Sequence, residues 1–159
     1  MRAPFRVGIS LPSSELAVRN ALNDLCRALE PLALHVEELQ TVELVLAEVL
    51  NNIVEHAYPQ QRPGDTIDIR AEHRADGLHF RISDRGRAMP AGLPPLGRHI
   101  AEPPKATSIP EGGFGWFLIR DLARDVRYRR VGGENQLDLR LAIAVQNHQL
   151  PATKAPPHG

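Results

Sequence analysis

Residues 36–58 read VEELQTVELVLAEVLNNIVEHAY, and this stretch decides the architecture because one apolar stripe runs its length. Val36, Leu39, Val42, Leu46, Val49, Leu50 and Ile53 recur at three- and four-residue steps, the period of an amphipathic helix. The spacing predicts a helix over residues 35–56, stopped by Tyr58-Pro59. Within it Glu48 and Asn52 stand four residues apart, so one lies above the other on the same face. They sit beside the apolar stripe rather than opposite it. A carboxylate and a carboxamide so placed must find polar partners or face a cavity. Taken alone, a Glu and an Asn at helical spacing are ordinary solvated side chains.

Two segments outward from this helix change that reading. In residues 80–88 an alternating strand (Leu78, Phe80, Ile82) ends in Asp84, followed at once by Gly86, where the backbone turns. In residues 111–122 a glycine-rich loop, Glu111-Gly112-Gly113-Phe114-Gly115, runs straight into an apolar helical pattern through Trp116, Ile119, Leu122 and Ala123. Glycines that open a helix free backbone N–H groups where the helix dipole favours an anion.

The rest of the chain fills in around these three segments. Residues 5–11 alternate through Phe5, Val7, Ile9 and Leu11 and read as a first strand. Pro12-Ser13-Ser14-Glu15 starts a helix with a Ser N-cap and an acid in the first turn, and its stripe ends near Pro31. Pro63-Gly64-Asp65 is a turn, residues 66–73 and 78–83 are strands, and Ala75-Asp76-Gly77 joins them as a hairpin. Residues 89–110 hold six prolines and no sustained period. So long a loop argues for function or disorder. Strands come next over residues 125–131 and 136–144, with Gly132-Gly133-Glu134-Asn135 as the turn between them. Strands in hairpins and helices in runs specify an α+β fold: a two-layer sandwich, its mostly antiparallel sheet covered on one face by helices. One domain is expected over residues 1–147, with a flexible tail over residues 148–159. Three polar or glycine segments from separate elements fall at one end of that layer and would line a pocket.

Bulk properties exclude several classes. The formal net charge is zero, so there is no basic footprint for direct nucleic-acid binding. No apolar run approaches the roughly 18 residues that span a bilayer. Cys26 is the only cysteine, so no disulfide framework forms within one chain, and its place in a helical pattern suits a small buried thiol. Met1-Arg-Ala-Pro-Phe leads into a strand rather than the apolar core of a signal peptide, and a cytoplasmic location is expected.

The three segments together resemble the ATP-binding domain of the histidine-kinase-like (GHKL) ATPases, and within them the anti-sigma-factor serine/threonine-protein kinases. Glu48, Asn52, His56 and Tyr58 match the helix motif, Asp84 and Gly86 the strand-end motif, and Gly113, Gly115, Leu118 and Ile119 the final glycine motif. The intervals, 32 residues from Asn52 to Asp84 and 29 from Asp84 to Gly113, suit the family, and the match runs from the first strand to about Ala144. The resemblance implies ATP and Mg²⁺ as cofactors. It makes Asn52 the metal ligand through its carboxamide oxygen. Asp84 becomes the acceptor for the adenine amino group, and Gly86 the residue that lets backbone approach the ring. Gly113 and Gly115 would bind phosphate, Glu48 would be the general base on a protein hydroxyl, and residues 89–110 would form the lid over the nucleotide.

Two departures stand out. Ala88 occupies the place of a second strand-end glycine, and Glu111-Gly112 stands where some relatives carry an Arg for the γ-phosphate, leaving Lys105 or Arg98 as substitutes. With no room ahead of the domain for a phospho-accepting histidine helix, a sensor histidine kinase is not expected, and His35 and His56 read as structural. The resemblance leaves two functions open. The first is a kinase that phosphorylates a small antagonist (anti-anti-sigma) protein and sequesters a sigma factor. The second is an ATP-dependent anti-sigma regulator with little kinase activity. Relatives pair through their first strand and helix, so a homodimer is expected.

Overall fold

The computed structural model describes residues 4–60, 62–89 and 119–143. Strand β1 (Arg6–Pro12) turns its alternate residues Val7, Ile9 and Leu11 toward the helices. Helix α1 (Glu15–Ala28) begins at Ser14, whose extended backbone and hydroxyl, accepting from the Ala17 amide at 3.1 Å, satisfy an N–H with no helical partner. Glu15 in its first turn and Arg27 in its last both complement the helix dipole. Val18, Ala21 and Leu25 form its buried stripe. A short 3₁₀ turn at Glu30–Leu32, with Pro31 inside it, redirects the chain into helix α2 (Val36–Asn52).

Helix α2 buries Val42, Val45, Leu46, Val49 and Leu50, the central slab of the core. Burying each such side chain contributes about 1.5–3 kcal/mol. The expected helix over residues 35–56 is therefore present, but its last turn is not α-helical. Ile53–Ala57 form a single π turn, closed by the Tyr58 amide on the Ile53 carbonyl at 3.2 Å. Single π turns recur at functional sites.

Strands β2 (Thr66–Arg74), β3 (Gly77–Asp84), β4 (Arg124–Val131) and β5 (Glu134–Leu141) complete one antiparallel sheet in the order β1-β2-β3-β5-β4. The fold is the α+β layer the sequence pattern specifies, with helices on one face. Among the described residues no helix is long and apolar enough to cross a membrane. The β4–β5 turn is two residues, Gly132 and Gly133, at φ +59° and +78°. Two consecutive left-handed residues suit a tight hairpin and favour glycine. That corrects the four-residue turn expected from sequence: Glu134 and Asn135 already belong to β5. The strand order also shapes one corner of the molecule, because β5 lies against β3 and sets Asn135 opposite Asp84.

Candidate functional site

Asn52 closes the last α-helical turn of α2 and is 6% exposed. Its Nδ2 donates to the Glu48 carbonyl oxygen at 2.8 Å. A carbonyl only accepts, so this bond fixes which way the amide faces, and Oδ1 takes no hydrogen bond among the described residues. Glu48 is half-buried one turn back on the same face. A hard divalent cation prefers oxygen donors, and Mg²⁺ is usually held by one or two protein oxygens plus phosphates and water. No cluster of three acidic, His or Cys side chains able to hold a metal occurs among the described residues. The single oriented carboxamide oxygen fits a cation that arrives with a ligand.

The π turn then ties this helix end to the end of β3. The Tyr58 hydroxyl donates to the Thr66 carbonyl at 2.9 Å and accepts from the Arg85 amide at 2.7 Å. Burial is the main cause that raises its pKa, which keeps the phenol protonated as a donor. The Arg87 amide donates to the Ala57 carbonyl at 2.9 Å. Gly86 lies against the same residue, and a Cβ there would overlap the Ala57 backbone. Its absent side chain thus makes room for the π turn.

Asp84, at 6% exposure, is the last residue of β3. Its Oδ1 accepts from the Gly86 amide at 2.9 Å and from Asn135 Nδ2 at 2.8 Å. Its Oδ2 takes no hydrogen bond among the described residues. Burial raises the Asp84 pKa, and it is opposed by the bonds from Asn135 and Gly86 and by the Arg130 charge. Asn135 is 4% exposed and saturated: Nδ2 also donates to the Arg87 carbonyl at 2.8 Å and the Gly86 carbonyl at 3.3 Å, while Oδ1 accepts from the Tyr128 hydroxyl and from Arg130 Nη1 at 2.7 Å. Arg130 Nη1 also reaches the Gly86 carbonyl at 2.9 Å.

The structure thus joins the α2 terminus carrying Glu48 and Asn52 to the β3 end carrying Asp84 and Gly86. Gly113, Gly115 and lid residues 90–110 lie outside the described residues. His56 is not packed into the fold as expected, because its side chain is 65% exposed beside Glu55, and His35 is an exposed helix cap. Cys26, in α1, donates to Glu43 Oε1 at 3.0 Å, and burial is the main cause of its pKa of about 12, so it is an inert thiol. Tyr128, Arg130 and Asn135 belong to no motif in the sequence. One signal does mark the site there: Asn135, Leu137, Leu139 and Leu141 alternate, and Asn135 is the only polar member of that inward set. A charged concavity of about 800 Å³ lies elsewhere, on the open face of the sheet around Arg70, Arg81, Arg127 and Asp138.

A family model described as histidine kinase-like ATPase domain matches residues 11–141. Over 93 residues the chain is 31% identical to Serine-protein kinase RsbW of Oceanobacillus iheyensis, covering 57% of this chain and 58% of that one. Over 105 residues it is 35% identical to Serine/threonine-protein kinase BtrW of Bordetella bronchiseptica, covering 62% and 67%. The match thus spans less than two thirds of the RsbW relative's length. Among solved structures, the RsbU and RsbW domains of a Mycobacterium tuberculosis protein align with a TM-score of 0.58 at 19% identity, over 86% of this chain and 32% of that one. The blue-light activated histidine kinase of Erythrobacter litoralis aligns with a TM-score of 0.51 at 20% identity, over 71% and 33%. At these identities the structural likeness concerns the fold.

Proposed function

The chain belongs to the histidine kinase-like ATPase domain family, and from that premise we propose that it binds Mg-ATP and transfers the γ-phosphate to a serine or threonine of a small antagonist protein. The observation that carries the reading is a pair of acceptors on two buried residues at one corner: among the described residues, Asn52 Oδ1 and Asp84 Oδ2 take no hydrogen bond. Asp84 Oδ2 would accept from the adenine amino group. Asn52 Oδ1 would hold the Mg²⁺ that travels with the phosphates, and Gly113 and Gly115 would supply amides to those phosphates. When bound, the cation neutralises charge on the phosphate oxygens.

In the transfer step Glu48 takes the proton of the acceptor hydroxyl as its oxygen bonds to the γ-phosphorus. The bond from that phosphorus to the β–γ bridging oxygen breaks, and ADP leaves with the electron pair. The named kinase relatives support this activity, and the retained Glu48 supports it over an ATP-dependent anti-sigma binding role with little transfer, since binding alone needs no base. On this reading the partners are an anti-anti-sigma protein and its sigma factor, the working unit is a cytoplasmic homodimer, and residues 1–147 act as one domain; the tail expected over residues 148–159 lies outside the described residues.

The test is to incubate the pure protein with radiolabelled ATP, Mg²⁺ and the candidate antagonist proteins of its own genome. Label on a serine or threonine of one antagonist, dependent on Glu48, is expected. ATP binding without transfer to any of them would leave the binding role instead.

A further inference from the structure

Asn135 stands apart from the other buried polar groups because every hydrogen-bonding position on its amide is used, and its donors hold one loop as well as Asp84. A relay runs through it. The Met89 amide donates to the Tyr128 hydroxyl at 3.0 Å, that hydroxyl donates to Asn135 Oδ1 at 2.5 Å, and Asn135 Nδ2 donates to Asp84 Oδ1 at 2.8 Å. The same Nδ2 holds the carbonyls of Gly86 and Arg87. Arg130, reaching both Asn135 Oδ1 and the Gly86 carbonyl, braces the other side. Bonds in such a chain polarise one another in a low-dielectric setting.

We propose that Asn135, aligned by Tyr128 and Arg130, is the positioning residue that presents Asp84 to the nucleobase, and that the β4–β5 hairpin thereby sets base selectivity. The inference rests on the reading of Asp84 as the adenine acceptor. A carboxylate rotates about its last torsion with little hindrance, so either oxygen would face the site unless one is held. In this corner Oδ1 is held from two sides, by Asn135 and by the Gly86 amide, and only Oδ2 remains to meet a ligand. The loop after Asp84 is held by the same Asn135 amide at Gly86 and Arg87, so the carboxylate and its backbone surround move as one piece. Asn135 itself has no free donor or acceptor, so it acts through Asp84.

The test is equilibrium binding of Mg-ATP and Mg-GTP to the full chain and to four variants: Asp84→Asn, Asn135→Leu, the two combined, and Tyr128→Phe. Circular dichroism confirms that each variant is folded. Loss of the Asn135 donor should weaken ATP by about 10- to 100-fold and GTP far less, so that the ATP preference shrinks. Tyr128→Phe, which keeps the ring and removes only the relay hydroxyl, should weaken ATP by roughly 3- to 10-fold. In the double-mutant cycle the combined variant should be no weaker than Asp84→Asn alone, because one substitution acts through the other. Losses that multiply, equal weakening of ATP and GTP, or wild-type affinity in a folded Tyr128→Phe would each overturn the proposal while leaving Asp84 as the acceptor. If Asp84→Asn itself binds ATP like the wild type, the adenine-acceptor reading fails and takes the proposal with it.

Discussion

Strands β3 and β5 carry two polar pairs three register steps apart, and the fold treats them in opposite ways. Arg81 and Asp138 are direct partners on the open face, joined at 2.7 Å with side chains 44% and 30% exposed. Asp84 and Asn135 are direct partners on the helix-covered face, 6% and 4% exposed. On the open face a lost partner is replaced by water. At the covered corner little of either residue reaches solvent, so a lost partner is replaced less readily. The difference teaches where to look for function: the half-satisfied carboxylate of a buried residue is the one that the proposed reading gives to a ligand.

The largest effect that would sharpen this contrast is at Glu48, which the proposed reaction uses as a base. Glu48→Gln keeps the side chain's shape and its acceptor oxygen. Phosphotransfer to the antagonist should fall by about 10²–10⁴-fold while ATP affinity changes little. Single-turnover transfer alongside titration calorimetry separates the two. Wild-type transfer by Glu48→Gln would remove the base from this corner.

Next comes Asp84. Burial raises its pKa, so the carboxylate protonates at a higher pH than an exposed aspartate does, and ATP affinity should decline on acidification from above the ordinary carboxylate range. Asp84→Asn should lose about 1.5–3 kcal/mol of ATP binding at neutral pH and lose that acid limb as well. The stability of the unliganded protein runs the other way. A raised folded-state pKa means the folded form binds more protons than the unfolded one across the window above the usual Asp value, so stability falls as pH rises through it. Asp84→Asn should therefore flatten that pH dependence and raise the melting temperature at neutral pH. An unchanged pH profile in both measurements would mean Asp84 is no more burdened than the open-face acids.

A third effect is mechanical. Gly86→Ala would drive a methyl group into the Ala57 backbone, and overpacking of this kind costs about 1–3 kcal/mol. The expected result is a lower melting temperature together with weaker ATP binding, since the π turn that must shift comes directly after Asn52. A stable Gly86→Ala with normal affinity would show that the helix end and the strand end are less tightly joined than their contacts indicate.

Much of this contrast is legible in the sequence alone. The three-four spacing of α2, the period-two strands and the hairpin glycines specify the layer because each is a local pattern with one dominant geometry. Glu48, Asn52, Asp84 and Gly86 are legible because they interrupt those patterns at element ends. Asn135 is not, because Gly132-Gly133-Glu134-Asn135 reads equally well as a four-residue turn, and only pairing with β3 shows that the turn is two residues long. The π turn is equally hidden. Its wide closure at Tyr58 accompanies contacts with Arg85, Gly86 and Arg87, residues about thirty positions on, and no local periodicity encodes them. The packing of Gly86 on Ala57 is hidden for the same cause: a sequence shows that a side chain is missing, and only the fold shows which neighbour lies in that space.

The smallest effect tests the other half of the comparison. Arg81 and Asp138 form the best-aligned ion pair on the open face, with two contacts at 2.7 and 3.2 Å, and the Asp138 hydrogen bond and charge raise the Arg81 pKa. Geometry alone would rank it beside the Asp84–Asn135 contact. Exposure argues otherwise: in water the Coulomb gain is screened and two long side chains lose freedom, so such pairs contribute about 0.2–1 kcal/mol. A double-mutant cycle of Arg81→Ala and Asp138→Ala, read by urea denaturation, should return a coupling in that range that shrinks further as salt is raised. Neither variant should alter ATP affinity, because the pair lies on the face opposite the corner where α2 meets β3. A coupling well above this range, or one insensitive to salt, would mean that the open face is shielded in solution, and the contrast between the two faces would have to be drawn elsewhere.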